Sequence, residues 1–594
     1  MKKDTNWTNF TKSLSPARIA LLLLAVLAVF FCHEIGNRSF VDPDEGRYVE
    51  IPREMVASGD YVTPHLNGLK YFEKPVLFYW LQAATINLFG IGEISMRLWI
   101  MIFAIFGCLT LFAIGALRHS SSMGLMAAGI LATNLLYYIH SRLIILDLVL
   151  SIFMSGSLWC FYLAFVKPGS KFNHSTSPSA EVPKCLIVSM YTLSALACLT
   201  KGLIGAVLPG MIAFLWIMLT KNWHMLKQMF YVPGLLLFLV IFLPWHLLVM
   251  HRNDDFFDFY FIFEHFTRYT TTVHNHYQPW WFFLPTLVIG LIPWTGFSLV
   301  AIKNSIKKIK TAAGNSGNTN IAVHGDGQSI QEHMFFLVWI FTILIFFSFS
   351  NSKLIPYILP TIPPIIFLTS LLLEDADSAA VRHNFKWGSL LNTLLLLSIG
   401  VAFFIGKHEI TDILQGENAT FLVGMTFASM AAIVVVMISA IFKKISIRHA
   451  VYLQILMAAN MMSLLNRGAV LYQDVKKPST KQFAEMVNWN KREGDLVFCY
   501  KRYYQDFPVY LKSTIGVVDF VGELQFGMNA AKKEGTLDPN HMMGENDFWK
   551  LWHSGNRRIF LLSSRKEYGK LFASRSNMHK IIHFDKYFVL IANK

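Results

Sequence analysis

The sequence has little charge. Only 15% of its 594 residues are Asp, Glu, Lys or Arg, whereas 54% are hydrophobic, a balance that soluble globular domains do not reach. Near-continuous apolar runs such as "ARIALLLLAVLAVFF" and "MFFLVWIFTILIFFSF" approach the roughly 20 residues that a helix needs to cross a bilayer. The composition therefore excludes a soluble enzyme and predicts an integral membrane protein built from helices.

Cysteine is scarce and follows no pattern. Neither a disulfide framework nor a CxxC metal site can be formed from the six cysteines, because five lie in or beside apolar runs and Cys499 stands alone. The net charge of +15 comes from basic residues scattered through short loops. That distribution favours a role in membrane orientation and argues against a nucleic-acid partner.

The apolar runs predict about thirteen spans. With a cytoplasmic N-terminus, the lysine-rich loops fall on the cytoplasmic side, as the positive-inside rule requires. Residues 76–92 are also apolar, but a span there would turn those loops outward, so they are predicted to lie at the outer interface. The spans are predicted near 18–33, 97–117, 123–140, 143–166, 185–200, 203–219, 229–249, 280–301, 334–350, 354–373, 388–406, 420–442 and 449–466.

This topology predicts a membrane domain over 1–467, with a long outward loop at 34–96, and a small extracytoplasmic α/β domain over 468–594. The fold class is therefore a polytopic α-helical membrane protein with a C-terminal α/β domain, which would be periplasmic in a Gram-negative bacterium. We find no nucleophile constellation in the C-terminal domain and expect a structural or acceptor-recognition role. Its predicted strands are "DLVFCYKR", "PVYLK", "IGVVDFV", "RIFLLSS" and "YFVLIAN".

Acidic side chains concentrate in the first outward loop. The stretch "FVDPDEGRYVEIPREM", residues 40–55, places Asp44 and Glu45 just after a proline. It is predicted to form an interfacial amphipathic segment, broken or offset at Pro52. A solvated loop is the alternative, in which two arginines neutralise two glutamates: Arg47 and Arg53 with Glu50 and Glu54.

Two further features strengthen the case for a site. "YFEKP", residues 71–75, adds Glu73 and Lys74 to the same loop. Asp147 lies within an apolar span, where a carboxylate costs about 2.5 to 3.5 kcal/mol and usually faces a polar cavity or a partner. Either Arg142 is that partner, or Asp147 joins an outward-opening site with the acids of the loop.

Basic side chains are predicted on the same outward side. Lys201 in "TKGLIG" and Lys353 in "SNSKL" end spans, and Arg268 follows in "EHFTRY". A single lysine at a helix end can be a snorkelling anchor, but several cations near outward acids indicate a phosphate site at head-group level. Glu73 with a histidine could also hold a divalent cation, although no fixed ligand spacing supports it.

Several stretches together resemble a known family. "DPDEGRYVEIPREM", "YFEKP", "TKGLIG", "EHFTRYTTTVHNHYQPWW" and "SKLIPYILP" are similar to GT-C membrane glycosyltransferases related to protein O-mannosyltransferases. "VDFVGELQFGM" followed by "FWKLW" is similar to the tail of the aminoarabinose transferase branch. In that branch, the resemblance implies transfer of 4-amino-4-deoxy-L-arabinose from undecaprenyl phosphate to lipid A, with no nucleotide cofactor. It also implies a bacterial inner-membrane location and resistance to cationic peptides such as polymyxin.

The resemblance implies roles for individual residues. Asp44 falls on the catalytic carboxylate, Asp147 on the second acid, and Lys74 on the lysine of the "EK" pair. Glu73 would be a ligand of a divalent metal, Zn or Mg/Mn, with His265 preferred over His274 and His276 as its partner. The donor phosphate would be bound by Arg268, Lys353 and Tyr357, and we assign Lys201 to the same phosphate.

Two other functions stay open. A related transferase could move another polyprenyl-phosphate-linked sugar to lipopolysaccharide core, a polysaccharide or protein hydroxyls. A secondary transporter would also have many spans and buried charges, but it would place ionisable groups near the midplane and commonly show an inverted repeat. The acids here are predicted at one face, and no repeat is evident.

Overall fold

The structure is a computed structural model, and it contains mostly helices. It describes residues 15–166, 182–267, 277–315, 327–374, 379–405, 417–476, 479–572 and 579–594. In the first half of the chain the α-helices are Pro16–Cys32, Asp44–Ser58, Leu77–Phe89, Leu98–Arg118, Ser121–Ala132, Leu135–His140, Leu146–Phe165, Lys184–Lys201, Ile204–Thr220, His224–Met229, Val232–Arg252 and Phe283–Gly290.

The second half continues with long helices and then shorter ones. Its α-helices are Thr295–Asn315, Gly327–Phe349, Ile362–Glu374, Ala379–Ile405, Glu417–Ile441, Ile447–Lys476, Lys481–Asn490, Asp506–Leu511, Gln525–Glu534, Glu545–Ser554 and Arg565–Phe572. A π-helical segment covers Asp258–Thr267, and 3-10 turns cover Ser95–Arg97, Ile355–Thr361 and Gly522–Leu524.

Every predicted span falls on helical structure, and the predicted class of polytopic helical membrane protein is confirmed. Among the described residues, eight helices are long and apolar enough to cross a membrane, or nine if one bent pair counts as a span. The count of thirteen thus stays a prediction. Residues 76–92 form the 13-residue helix Leu77–Phe89, which is not among these candidate spans.

Two predicted spans are interrupted. The run 280–301 divides into Phe283–Gly290 and Thr295–Ala312, which are bent by 118°, because Pro293 stands between them and has no N–H to continue a helix. The run 123–140 divides at Asn134, whose side chain accepts a hydrogen bond from the Tyr137 N–H and so begins a new helix. Hydropathy alone predicts neither of these interruptions.

The chain forms two compact units, each assembled from separate stretches. The membrane unit comprises Met1–Ile35, Ile100–Pro244 and Ile262–Ala469. The loop–tail unit comprises Gly36–Trp99, Trp245–Phe261 and Val470–Lys594. The predicted domain division at 467/468 lies close to one unit boundary, but the first outward loop belongs to the same unit as the C-terminal tail.

Aromatic residues fill the core of the membrane unit. The Trp159 ring centroid lies 5.1 Å from that of Trp339 and 5.2 Å from that of Phe367, and such pairs add to the stabilisation from burial alone. The helices Leu98–Arg118 and Ser121–Ala132 touch backbone to backbone, since a Cβ on Gly115 would lie 2.6 Å from the Cα of Gly124.

The loop–tail unit contains a six-stranded mixed sheet. Its strands are β3 Leu496–Tyr500, β4 Gly516–Val518, β5 Met542–Met543, β6 Ile559–Ser564, β7 Lys580–Phe584 and β8 Phe588–Ala592, after the short hairpin β1 His65–Leu66 and β2 Leu69–Lys70. The order is β5-β4-β3-β6-β8-β7. The parallel pairs are β3 with β4, β3 with β6, and β4 with β5. Strand β8 runs antiparallel to both β6 and β7.

One predicted strand is wrong, and two strands of the six-stranded sheet were not predicted. "PVYLK" lies in the helix Asp506–Leu511, where Pro508 occupies the first turn and its missing N–H breaks no hydrogen bond. Strands β5 and β7 were missed because β5 has two residues and β7 lies at an exposed edge of the sheet. The other four predicted strands are confirmed.

Candidate active site

The first-loop acids begin a helix. Asp44 and Glu45 occupy the first turn of Asp44–Ser58, where negative charge is favourable to the helix dipole, and Gly59 ends the helix in the left-handed region with φ 73°. The predicted break at Pro52 is wrong, because the helix continues through it. Buried apolar side chains on the same helix offset the hydrogen bond lost at the proline: Val49, Ile51 and Met55.

The two acids of the "DE" pair have different environments. Glu45 is fully buried and accepts hydrogen bonds from Arg97 at 2.7 Å and from the Val41 N–H at 2.9 Å. Asp44 is 58% exposed and accepts a hydrogen bond, at 2.6 Å, from Arg47. Glu45 therefore holds the loop together, while Asp44 presents a carboxylate that a substrate can reach.

Arg47 is the centre of this cluster. Its guanidinium donates to the carboxylates of Asp44 and Glu523 and, at 3.0 Å, to the hydroxyl of Tyr71. Burial works against its charge, but Tyr71 and Glu523 outweigh burial and raise the pKa of Arg47 well above its usual value. Arg47 is thus a permanent cation beside Asp44.

Glu73 and Lys74 lie in the same electrostatic environment. Glu73 helps to raise the pKa of Arg47. It also helps to raise the pKa of Glu523, for which burial is the largest cause. The Lys74 ammonium donates to the Glu73 carbonyl at 2.7 Å and lies 3.9 Å from its carboxylate. The structure therefore brings the three predicted first-loop residues, Asp44, Glu73 and Lys74, into one charged cluster.

A second group of predicted residues meets in the membrane unit. Lys201 donates to Asp147 at 2.5 Å, and its ammonium lies 4.9 Å from the centroid of the Tyr357 ring. The alternative pairing of Asp147 with Arg142 is wrong. Arg142 instead donates to the carbonyl oxygens of His33 and Phe30, which leaves Asp147 to Lys201.

Lys353 is nearly buried in the turn between two candidate spans. Only 4% of the residue is exposed, and its ammonium donates to the carbonyl oxygens of Gln278, at 2.8 Å, and Ser350. It is therefore held by backbone oxygens on this turn. Its assignment to a donor phosphate stays a prediction, as does the convergence of Asp147 with the first-loop acids.

The metal prediction rests partly on residues that the structure does not describe. Arg268, His274 and His276 lie outside the described residues, as does the side chain of His265. Within the described ranges no group of three or more His, Cys, Asp or Glu side chains is arranged to hold a metal ion. The metal site of Glu73 and His265 therefore stays a prediction.

Three members of the first-loop cluster were not among the predicted site residues. Arg47 could have been found, because it lies three positions after Asp44 and so on the same helix face. Tyr71 stands beside "YFEKP" but gives no signal of its own. Glu523 is 476 residues from Arg47 in the chain, and no sequence pattern connects the two.

Comparisons with known proteins bear on the family and the fold. Residues 18–301 match the family described as dolichyl-phosphate-mannose-protein mannosyltransferase, and residues 483–593 match the aminoarabinose transferase C-terminal domain. The chain therefore matches this mannosyltransferase family over residues 18–301 and that C-terminal domain over residues 483–593. The predicted resemblance is confirmed.

The chain is similar to bacterial proteins named undecaprenyl phosphate-alpha-4-amino-4-deoxy-L-arabinose arabinosyl transferase. It is 29% identical to the one from Serratia proteamaculans over 63% of this chain and 62% of that protein. For Edwardsiella ictaluri the identity is 29% over 67% of this chain and 69% of that protein. The aligned region thus covers just under two thirds of the Serratia protein.

The fold is also that of a solved structure. The crystal structure of ArnT from Cupriavidus metallidurans bound to undecaprenyl phosphate has a TM-score of 0.77, with 98% of this chain and 99% of that chain covered at 23% identity. The likeness extends over nearly the whole of both chains and confirms the fold.

Proposed function

We propose that this protein is a glycosyltransferase that moves 4-amino-4-deoxy-L-arabinose from undecaprenyl phosphate to lipid A or a related outer-leaflet acceptor. The observation that carries the proposal is the half-exposed Asp44 carboxylate, held on one side by the buried Arg47. The matches to the two family models and the names of the relatives support the choice of donor and sugar. The protein acts in a bacterial inner membrane, with its N-terminus cytoplasmic and its C-terminal domain periplasmic.

The reaction requires both negative and positive groups. The bond between the anomeric carbon and the donor phosphate oxygen breaks, and the acceptor oxygen forms the new bond to that carbon. Positive charge develops on the sugar while the electron pair leaves on the lipid phosphate, so carboxylates stabilise one centre and cations the other. Asp44 serves the attacking side and Lys74 serves the leaving phosphate, and a single in-line displacement inverts the anomeric configuration.

The role of Asp44 depends on the acceptor. A lipid A phosphate is already an anionic nucleophile and has no proton to lose. With that acceptor Asp44 orients the acceptor or the amine of the sugar and stabilises developing positive charge. With a hydroxyl acceptor, the same carboxylate takes the hydroxyl proton as a general base. One carboxylate therefore fits both acceptor types through different chemistry.

The remaining predicted residues are assigned as follows. The donor phosphate is bound by Lys201, Lys353, Arg268 and Tyr357. Asp147 accepts a hydrogen bond from Lys201 at 2.5 Å. We therefore assign Asp147 a second role besides that of second catalytic acid: it holds the Lys201 ammonium in place for the phosphate.

The test is transfer by the purified full-length protein in proteoliposomes that contain the undecaprenyl phosphate sugar and lipid A. The wild type should release undecaprenyl phosphate and add the sugar mass to lipid A, whereas Asp44→Asn should lower turnover by about 1,000-fold or more with unchanged folding. Asp547→Asn is a matched control, because Asp547 is also a first-turn acid with a basic partner three residues on, Lys550 at 3.0 Å. Normal transfer by Asp44→Asn would refute the assignment.

A further inference from the structure

We infer that Glu523, from the C-terminal tail, is a positioning residue for the Asp44 carboxylate and acts through Arg47. The inference rests on the proposed function and extends it, because it places a residue of the tail in the reaction machinery. Glu523 does not touch the reacting atoms. Its task is to fix the guanidinium that fixes Asp44.

Two hydrogen bonds connect Glu523 to Asp44 through Arg47, and of the three side chains only Asp44 is exposed. Glu523 accepts from Arg47 Nη1 at 2.7 Å, and Arg47 Nη2 donates to Asp44 at 2.6 Å. The exposed fractions of the side chains are 17% for Glu523, 14% for Arg47 and 58% for Asp44. The two inner members are therefore shielded from water, and only the last one opens to a substrate.

A guanidinium suits this arrangement because it is planar and its N–H groups point in fixed directions. When Nη1 is held by Glu523 and by the hydroxyl of Tyr71, the direction of Nη2 is set as well. Asp44 then keeps one orientation and holds its second oxygen toward the substrate. Removing the Glu523 charge frees Arg47 to rotate and to turn fully onto Asp44.

Glu523 is itself fixed by its surroundings. Its other carboxylate oxygen accepts from the side chain of Gln505, and the backbone N–H of Gln505 donates to Asp42 at 2.9 Å. Gln505 thus bonds both to Glu523 and to the residue two positions before Asp44. The tail segment and the start of the helix Asp44–Ser58 are therefore in a defined register.

Close backbone contacts maintain this register. A Cβ on Gly46 would lie 2.5 Å from the backbone N of Asp506, and a Cβ on Gly527 would lie 2.5 Å from the carbonyl oxygen of Lys70. A side chain at either point would require the backbone to shift. Both contacts join the first loop to the tail, so they fix the position of Glu523 relative to Arg47.

An ordinary ion pair between loop and tail provides the comparison. Lys481, in the tail, donates to Glu93, in the loop, at 2.8 Å, and the Glu93 side chain is 19% exposed. Its length and the exposure of its glutamate are close to those of the Glu523 pair, although Lys481 is 39% exposed against 14% for Arg47. Neither partner is bonded to Asp44. If Glu523 only joined loop to tail, loss of either glutamate would have the same effect.

The experiment compares Glu523→Gln, Glu523→Asp and Glu93→Gln in the full-length protein, in proteoliposomes with the undecaprenyl phosphate sugar. Glu523→Gln should lower kcat by about 10- to 100-fold, the range for a lost charge-assisted bond, with the donor KM within about twofold. Glu523→Asp restores the charge and should recover part of kcat, whereas Glu93→Gln should stay within about twofold of wild type. Thermal unfolding is measured for each variant.

The outcomes separate this inference from the proposed function. A kcat for Glu523→Gln within twofold of wild type, or an equal loss in Glu93→Gln, refutes the positioning role, as does a loss that merely follows a fall in folded protein. If those results appear while Asp44→Asn is inactive, only the role of Glu523 fails. If Asp44→Asn transfers normally, the proposed function fails as well.

Discussion

Each of the two charged clusters pairs an aspartate with a basic side chain, but the two aspartates differ in exposure and the two cations differ in their partners. In the loop–tail unit the acid Asp44 is 58% exposed and its cation Arg47 is buried and held by other groups. In the membrane unit Asp147 and Lys201 are 13% and 17% exposed and are bonded directly to each other. Asp44 shares its cation with Glu523 and stays exposed, as its proposed catalytic role requires, whereas Asp147 is bonded directly to Lys201 and chiefly stabilises that charge.

The largest effect should come from breaking the pair in the membrane unit. Asp147→Asn leaves the Lys201 charge in a low-dielectric setting without its acid, so we expect the free energy of unfolding to fall by about 3 kcal/mol. The thermal unfolding midpoint, measured in one detergent for all variants, should show this. Asp44→Asn should change stability by less than about 1 kcal/mol, since Glu523 still neutralises Arg47.

The double variant Asp147→Asn, Lys201→Met is the control for this prediction. It removes the charge together with its partner and should be more stable than Asp147→Asn alone, because the cost of a buried pair lies in leaving one half behind. Equal midpoints for the single and double variants would mean that the pair is not electrostatically coupled, and the contrast with Asp44 would be lost.

A smaller effect should follow from adding one methyl group in the loop–tail unit. In Gly46→Ala the new Cβ would meet backbone atoms of Gln505 and Asp506 at 2.6 and 2.5 Å, so the helix must shift, at a cost of about 2 kcal/mol. Transfer activity should fall with it, because Asp44 lies two residues away. The measurements are the unfolding midpoint and the transfer rate.

Gly544 provides the matched control for Gly46. It lies in the same unit, has an ordinary φ of −70° and has open space around an added Cβ. Gly544→Ala should therefore leave both stability and transfer unchanged. If Gly46→Ala behaved like Gly544→Ala, the close docking of the first loop on the tail would be disproved.

The smallest effect is a pH dependence confined to the loop–tail unit. Burial, with the nearby Asp42, raises the pKa of Asp506 to about 7, whereas an unfolded aspartate titrates near 3.9. Between about pH 4 and 7 the folded state holds a proton that the unfolded state has lost, so stability falls as pH rises through this window. Asp506→Asn should flatten that slope and stabilise the unit above pH 7 by about 1 kcal/mol.

The Asn side chain can replace the carboxyl here with little change. One Asp506 oxygen accepts from the Ser479 hydroxyl at 2.9 Å and from the Thr480 N–H at 2.8 Å, and an amide oxygen accepts both bonds equally well. The measurement is the unfolding midpoint of wild type and variant from pH 5 to 8. An identical slope in both would show that Asp506 does not titrate in this range.

Much of the fold could be predicted from the sequence, because hydropathy is a local property. Every predicted span falls on helical structure, but the breaks at Asn134 and Pro293 depend on a cap and a missing N–H, which an average over many residues does not register. "PVYLK" alternates like a strand yet forms a helix, since Pro508 suits a first helical turn. In each case a single residue outweighs the average.

The acids of the two charged clusters could be predicted, but Glu523 could not. Asp44, Glu73 and Asp147 stand out because carboxylates are rare and costly beside apolar runs. Arg47 lies three positions after Asp44 and could have been found from that spacing, but Glu523 looks like any other acid of the tail. Its contact with Arg47 spans 476 residues, which periodicity and spacing cannot reveal.

The separation of 476 residues between Arg47 and Glu523 also bears on biosynthesis. At about 5 to 20 residues per second, the ribosome adds Glu523 some 20 to 100 s after Arg47. During that interval the nascent chain has Asp44, the proposed catalytic acid, but not Glu523, which we infer orders it. On the proposed function, competence for transfer is therefore a late event in translation, and a chain truncated before residue 523 is expected to insert its helices but to lack transfer activity.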